Sequence, residues 1–133
     1  MDIDRKPAID AIVIGTGIAG IYALHKLGNE LKLKVRGFEK GAGVGGTWFW
    51  NRYPGARSDT ESFVYRYSFD QETYDGWNWT QKYASQGQML AYLNAVVDRH
   101  GLRPLIRFNT RVVAATFDEA RGVWAVETSD GEV

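Results

Sequence analysis

An α/β fold on a parallel sheet is predicted by three features of this sequence. A short apolar run ends in a glycine-rich loop, GTGIAG at Gly15 to Gly20. A helical apolar period follows directly, and a second apolar run closes on an acid, Glu39. Together they read as the strand–helix–strand opening of a Rossmann-like, dinucleotide-binding domain.

Ala11 to Ile14, with Ile9 before it, is apolar throughout, as a strand buried on both faces must be. From Ile18 the positions Ile21, Leu24, Leu27 and Leu31 recur at helical spacing, and Gly28-Asn29 predicts where that helix stops. Leu33 to Phe38 is the second strand, and the right-handed crossover rule sets it parallel to the first. Gly41 to Tyr83 resists a regular reading apart from a candidate strand at Phe63 to Phe69; its aromatic content gives it surface worth burying, which argues against disorder. Ser85 and Gln88 form a capping-box pattern ahead of a stripe of Met89, Leu90, Leu93, Val96 and Val97. Gly101 predicts the C-terminal stop, with Leu102 as its hydrophobic contact and Pro104 beyond. Leu105 to Phe108 reads as a third strand. Arg111 to Phe117 and Val123 to Thr128, joined by DEARG, read as a β-hairpin, and another strand begins at Gly131.

Composition narrows the function. A chain of 133 residues is one domain by length. Sixteen basic residues balance sixteen acidic ones, so no field draws the chain to nucleic acid or an anionic membrane. There is no cysteine, and His25 and His100 are far apart in sequence, so no metal site is predicted. The polar start MDIDRKPAID lacks a secretory core, and no apolar run is long enough to span a bilayer. A soluble, cytoplasmic protein is expected.

The glycines have separate tasks. Gly15 permits the tight turn, Gly17 lets the backbone approach a pyrophosphate, and Gly20 lets helix and strand pack closely. The helix start then offers free N–H groups and a positive dipole end to phosphate. Glu39 falls near the roughly 20-residue spacing of a ribose-binding acid. A carboxylate there accepts from a ribose diol and repels a 2′-phosphate, which suits FAD or NAD over NADP. The next segment, GGTWFWNRYPGARSD from Gly45 to Asp59, is too irregular for a strand. Gly43, Gly45 and Gly46 give a second flexible approach to the phosphate region. Trp48 and Trp50 offer flat surface, for packing or for bordering a ring system. Arg52 and Arg57 suit anionic groups or a solvated surface. Pro54-Gly55 turns the chain towards Asp59.

This segment resembles the N-terminal signature of the Baeyer–Villiger monooxygenases, the class B flavoprotein monooxygenases, whose fixed positions are met by Gly45, Gly46, Trp48, Tyr53, Pro54, Gly55 and Asp59. The run WNRYPGARSDTES is similar to cyclohexanone- and phenylacetone-monooxygenase-like enzymes, and the likeness extends through NWTQKYASQ and the following helix. The resemblance implies an enzyme that uses FAD, NADPH and O₂ to convert a small-molecule ketone to an ester or lactone through a C4a-peroxyflavin. By the same resemblance Gly15, Gly17, Ala19 and Gly20 hold the FAD pyrophosphate, and Glu39 its adenosine ribose. Gly46, Thr47, Trp48 and Trp50 belong to the isoalloxazine side, and Tyr65 and the backbone at Val112 match further FAD contacts. Arg57 and Ser58 lie where the family also meets nicotinamide cofactor. Asp59 is the candidate catalytic residue, paired near the flavin with an arginine that the motif does not contain. A carboxylate within about 4–6 Å of that guanidinium stays ionised and fixes its position.

The family's second GxGxxG, its FxGxxxHxxxW fingerprint and the catalytic arginine do not occur in these 133 residues. The expectation is therefore a partial FAD-binding domain over residues 1–133, with the NADPH-binding domain and the rest of the FAD domain elsewhere, and no ketone oxidation by this chain alone. Two other readings stand beside it. One is a stand-alone FAD- or nucleotide-binding module that needs a complementary chain. The other is a piece of an N- or S-oxygenating flavin monooxygenase, against which the YPGxxxD run speaks.

Overall fold

The computed structural model describes residues 9–132; the polar start of the chain lies outside them. Strand β1 (Ala11–Ile14) runs parallel to β2 (Val35–Phe38), which runs parallel to the short β3 (Ile106–Arg107), in the order β1-β2-β3. A second, antiparallel sheet is the meander β4 (Val112–Asp118), β5 (Val123–Thr128) and β6 (Gly131–Glu132). The predicted hairpin is present, and the strand expected at Gly131 pairs with β5.

Helix α1 (Ile18–Leu24) leaves the first glycine loop and packs Ile21 and Leu24 into the core, both fully buried. Gly37 on β2 makes room for this, because a Cβ there would lie 3.2 Å from Leu24 Cδ2. The helix does not stop at Gly28-Asn29. It widens into a π-helical turn, His25–Glu30, and ends with Lys32 at φ +57°. Both residues of the predicted stop have tertiary tasks instead. Gly28 lets the helix approach Leu105, whose Cδ1 would meet a Cβ at 3.3 Å, and the Asn29 amide donates to the carbonyl of His100 at 2.9 Å. Packing overrode a local stop signal.

Helix α4 (Gln86–Arg99) forms for the reasons the sequence states. Met89, Leu93, Val96 and Val97 are fully buried, with Tyr92 beside them. Each such side chain gains roughly 1.5–3 kcal/mol by leaving water. Ser85 Oγ accepts from the backbone N–H of Gln88 at 3.4 Å, but the Gln88 amide turns to Thr80 Oγ1, so only half of the capping box is made. The C-terminal end is complete. Gly101 adopts φ +64°, its N–H donates to Asp98, and Leu102 N–H donates to Val97. Those two bonds define a Schellman cap.

The segment between the halves folds around its aromatics rather than into a sheet. Phe63 to Phe69 forms turns, not the expected strand. Short helices occur at Thr47–Trp50 (α2) and Gln71–Gly76 (α3), the latter capped by Asp70. Tyr67 donates its hydroxyl to Ile18 O at 2.5 Å, and its backbone N–H donates to Tyr92 Oη at 2.7 Å, tying this segment to both α1 and α4. Side-chain anchoring replaces a ladder here, which is why strand patterning misreads it.

His25 and His100 meet at this junction. Their rings lie 4.7 Å apart edge-on, and His25 stacks on Phe69 at 4.3 Å. Glu30 Oε1 stands 3.3 Å from His25 Nε2, and Lys26 lies on the same turn; Asp70 Oδ2 stands 3.6 Å from both His100 Nε2 and Arg99 Nε. Burial, aided by the His100 ring, holds His25 below its ordinary value of 6.5. The unfolded chain therefore binds this proton more readily than the folded one. The stability tied to neutral His25 is intact above about pH 6.5 and is lost as pH falls below it. Thermal unfolding followed from about pH 8 to about pH 5 should show this loss, and His25→Gln should flatten it.

Candidate functional site

Two glycine loops meet beside the C-terminal end of the parallel sheet. The first, Gly15-Thr16-Gly17, links β1 to α1; Gly15 takes φ +88° and donates its N–H to Phe38 O at 2.8 Å. The second, Val44-Gly45-Gly46, lies against it. Gly45 N–H donates to Thr16 O at 3.0 Å, and a Cβ built on Gly46 would come within 2.8 Å of Gly17 Cα. Gly46 also has φ +54°, a backbone that side chains rarely adopt, so both conformation and space require glycine there. The pair of loops makes a backbone-walled edge with no side chain in the way.

That edge borders an open cleft of about 440 Å³. Its floor is Glu39, one wall is Gly15 to Gly17, and the other is Gly46, Thr47 and Trp50. Thr110, Arg111 and Val112 close the far side, with Lys40 at the rim. No side chain caps the start of α1, so the first-turn N–H groups of the helix remain available to a ligand. Glu39 is 4% exposed and held on every side. Its Oε2 accepts from Thr16 N–H at 2.9 Å and from Thr16 Oγ1 at 2.7 Å, and its Oε1 accepts from Gly41 N–H at 2.8 Å. Its backbone is fixed as well, by Glu39 N–H to Arg107 O and Thr110 N–H to Glu39 O.

The donor set suits a dinucleotide. Free N–H groups at a helix start favour a diphosphate, and a buried carboxylate one strand away favours ribose hydroxyls. The Gly46–Gly17 contact, where a Cβ on Gly46 would lie 2.8 Å from Gly17 Cα, holds the two loops together beside the cleft.

Gly15, Gly17, Glu39, Gly46, Thr47, Trp50 and Val112 therefore come together around one cleft. The other residues singled out in the sequence sit elsewhere. Gly20 faces β1, and a Cβ on it would lie 2.0 Å from Gly15 O; Ala19 is exposed on the first turn of α1. Trp48 is 8% exposed and belongs to the core, its Nε1 donating to Tyr65 Oη at 3.2 Å. Tyr65 lines a smaller hollow of about 180 Å³ with Ile18, Met89 and Tyr92. Arg57 is exposed, and its guanidinium donates to Gln81 Oε1 and Tyr83 O, both at 2.7 Å. Ser58 is buried, pinned by its N–H to Ala84 O and by its hydroxyl to Thr60 O. Asp59 is exposed, and its carboxylate makes no hydrogen bond or ion pair among the described residues.

Six residues that line the cleft were not singled out in the sequence: the apolar Ile14 and Phe38, and the polar Thr16, Lys40, Thr110 and Arg111. Thr16 and Lys40 directly adjoin motif positions, so the signal was present. Thr110 and Arg111 reach the cleft only through the pairing of β3 with β2, which no local pattern reveals.

Comparison with known proteins fits this geometry. Residues 13–78 match the family model of an NAD(P)-binding Rossmann-like domain. The chain is 63% identical over 128 residues to a phenazine N-monooxygenase of Lysobacter antibioticus, covering 96% of this chain and 24% of that protein. It is 52% identical over 123 residues to a Baeyer–Villiger monooxygenase of Pseudooceanicola batsensis, covering 92% and 23%. The structure of cyclohexanone monooxygenase from Rhodococcus sp. Phi1 bound to NADP⁺ superimposes with a TM-score of 0.90 at 52% identity, over 92% of this chain and 23% of that one. OTEMO in complex with FAD and NADP gives 0.89 at 46% identity, over 97% and 24%. The chain thus spans about a quarter of the length of the relatives it matches. The α/β fold with a parallel sheet and the family inferred from the tryptophan-rich segment are both found, and this chain is the homologue of the N-terminal quarter of the Baeyer–Villiger and related flavin monooxygenases.

Proposed function

We propose that this chain is the FAD-holding portion of a cytoplasmic flavin monooxygenase that uses NADPH and O₂ to insert oxygen beside the carbonyl of a small ketone, giving an ester or lactone. The observation that carries the reading is the cleft itself: two glycine loops in backbone contact over a buried, fully oriented carboxylate. Bound flavin supplies the redox chemistry and the oxygen activation; the residues of this chain bind and orient.

In this reading Gly15, Gly17 and the first turn of α1 at Ala19 and Gly20 receive the diphosphate, and Glu39 the adenosine ribose. Gly46, Thr47, Trp50 and Val112 border the path towards the flavin ring, while Trp48 and Tyr65 brace that wall from behind. Arg57 and Ser58 pin the loop that presents Asp59. Its unpaired carboxylate is suited to hold a guanidinium supplied by further chain, and a positioned cation beside the flavin stabilises developing negative charge. Residues 1–133 form part of one FAD domain, completed by more of the same polypeptide or by a complementary chain. Among the described residues β1 has no partner strand on its outer edge, and the exposed Ile14 and Trp124 line one hollow beside it; both support that view, because an open strand edge is a pairing site.

A second reading has its own support. A phenazine N-monooxygenase is 63% identical to this chain, so oxygen transfer to an aromatic nitrogen is the alternative reaction.

A chimera tests the proposal. This chain replaces the aligned quarter of the Rhodococcus cyclohexanone monooxygenase, and FAD content and NADPH oxidation are measured with a cyclic ketone and with a phenazine. Retained FAD and ketone-dependent NADPH oxidation are expected, with Asp59→Ala lowering turnover by tenfold or more, as for loss of a group that orients a catalytic charge. A folded chimera that holds no FAD would contradict the reading.

A further inference from the structure

We propose that Thr16 is a positioning residue that makes Glu39 a reader of one ribose hydroxyl rather than a clamp on two. The inference rests on the FAD reading of the cleft. An ionised carboxylate offers about four lone-pair sites. Three are already engaged: two on Oε2 by the N–H and hydroxyl of Thr16, and one on Oε1 by the N–H of Gly41. Thr16 is fully buried and Glu39 nearly so, so neither group trades these bonds for water. Thr16 has little freedom to let go. Its carbonyl accepts from Gly45 N–H, so one residue joins the first glycine loop, the second glycine loop and the carboxylate. Its β-branched side chain is also stiff about χ1. The acceptor site left over is on Oε1, and Glu39 lines the cleft.

A carboxylate that grips a diol with both oxygens must present one free lone pair on each. Here Oε2 has none to give. One adenosine-ribose hydroxyl therefore donates to Glu39 and the other does not. The hydroxyl of Thr16, the middle residue of the GTG triplet, sets this count.

The test is calorimetric titration of the full chain with FAD and with two analogues, carrying 2′-deoxyadenosine or 3′-deoxyadenosine in place of adenosine. Loss of a hydrogen bond to a buried charge weakens binding roughly tenfold or more. The wild-type chain should show such a loss for one analogue and less than about a twofold change for the other. Thr16→Val keeps the volume but frees a lone pair on Oε2, so both deoxy analogues should then be penalised. Thr16→Ser should restore the one-sided pattern, which a purely structural role for Thr16 does not predict. Should Thr16→Val fail to fold, the wild-type and Thr16→Ser profiles still decide. Equal penalties for the two analogues in the wild-type chain would overturn the proposal while leaving the FAD site intact. No binding of FAD itself would overturn the FAD reading, and this inference with it.

Discussion

Gly20→Val should prevent this chain from folding or remove most of its stability. A Cβ at position 20 would stand 2.0 Å from the carbonyl oxygen of Gly15 and 2.9 Å from its carbon. Both are backbone atoms of the loop that enters the same helix, so no rotamer relieves the contact and α1 must lift off β1. Lifting it exposes Ile21 and Leu24, which are completely buried. Overpacking costs roughly 1–3 kcal/mol where side chains can shift, and more where backbone must. Against a typical total of about 5–15 kcal/mol the loss is large. A urea titration followed by far-ultraviolet circular dichroism checks it. Gly87→Ala is the matched control. Nothing lies within 4 Å of a Cβ at that position on α4, so alanine there should stabilise by roughly 0.5–1 kcal/mol.

Glu39→Ala should be the most damaging change of a charged residue. It removes the acceptor for three donors at once, namely Thr16 N–H, Thr16 Oγ1 and Gly41 N–H, at a residue that is only 4% exposed. An unsatisfied buried donor costs about 1–3 kcal/mol, and water entering the gap recovers part of that, so a net loss on the order of 3–5 kcal/mol is expected. Glu39→Gln keeps one acceptor oxygen but sets an amide N–H₂ against one of the donors. It should cost about half as much. Chemical unfolding of the three proteins in parallel gives the order wild type, Gln, Ala. An alanine variant as stable as the wild type would show that this carboxylate is not the hub of the two loops.

The sequence was most legible where one physical rule acts alone. The Gly101 cap, the stripe on α4 and the antiparallel meander each follow from a local pattern, and each is found. The first helix shows the opposite case. Gly28 and Asn29 carry a stop signal, yet contacts with Leu105 and His100 give them other tasks, and those partners are some 70 residues away in sequence. Phe63 to Phe69 has the composition of a strand but forms turns and bends. Tyr67 holds it to α1 and α4 instead. In the cleft, the glycines and Glu39 were readable because the spacing of a phosphate loop and a ribose acid is set by one βαβ unit. The tryptophans were not separable by type. Trp48 and Trp50 are two apart on a four-residue helix, so one turns into the core and the other, 54% exposed, reaches the cleft. Thr16 was hidden in plain view, since its importance lies in a side-chain bond across the cleft floor.

The central claim is that the two glycine loops and Glu39 form a site for the adenine dinucleotide end of FAD. Equilibrium titration of the refolded chain with FAD tests it most directly, with FMN as the comparison ligand, because FMN carries the flavin ring but neither the diphosphate nor the adenosine. Saturable binding of FAD, much tighter than of FMN and abolished by Glu39→Ala, is the predicted result. A folded chain that binds neither ligand, or both equally, would contradict it.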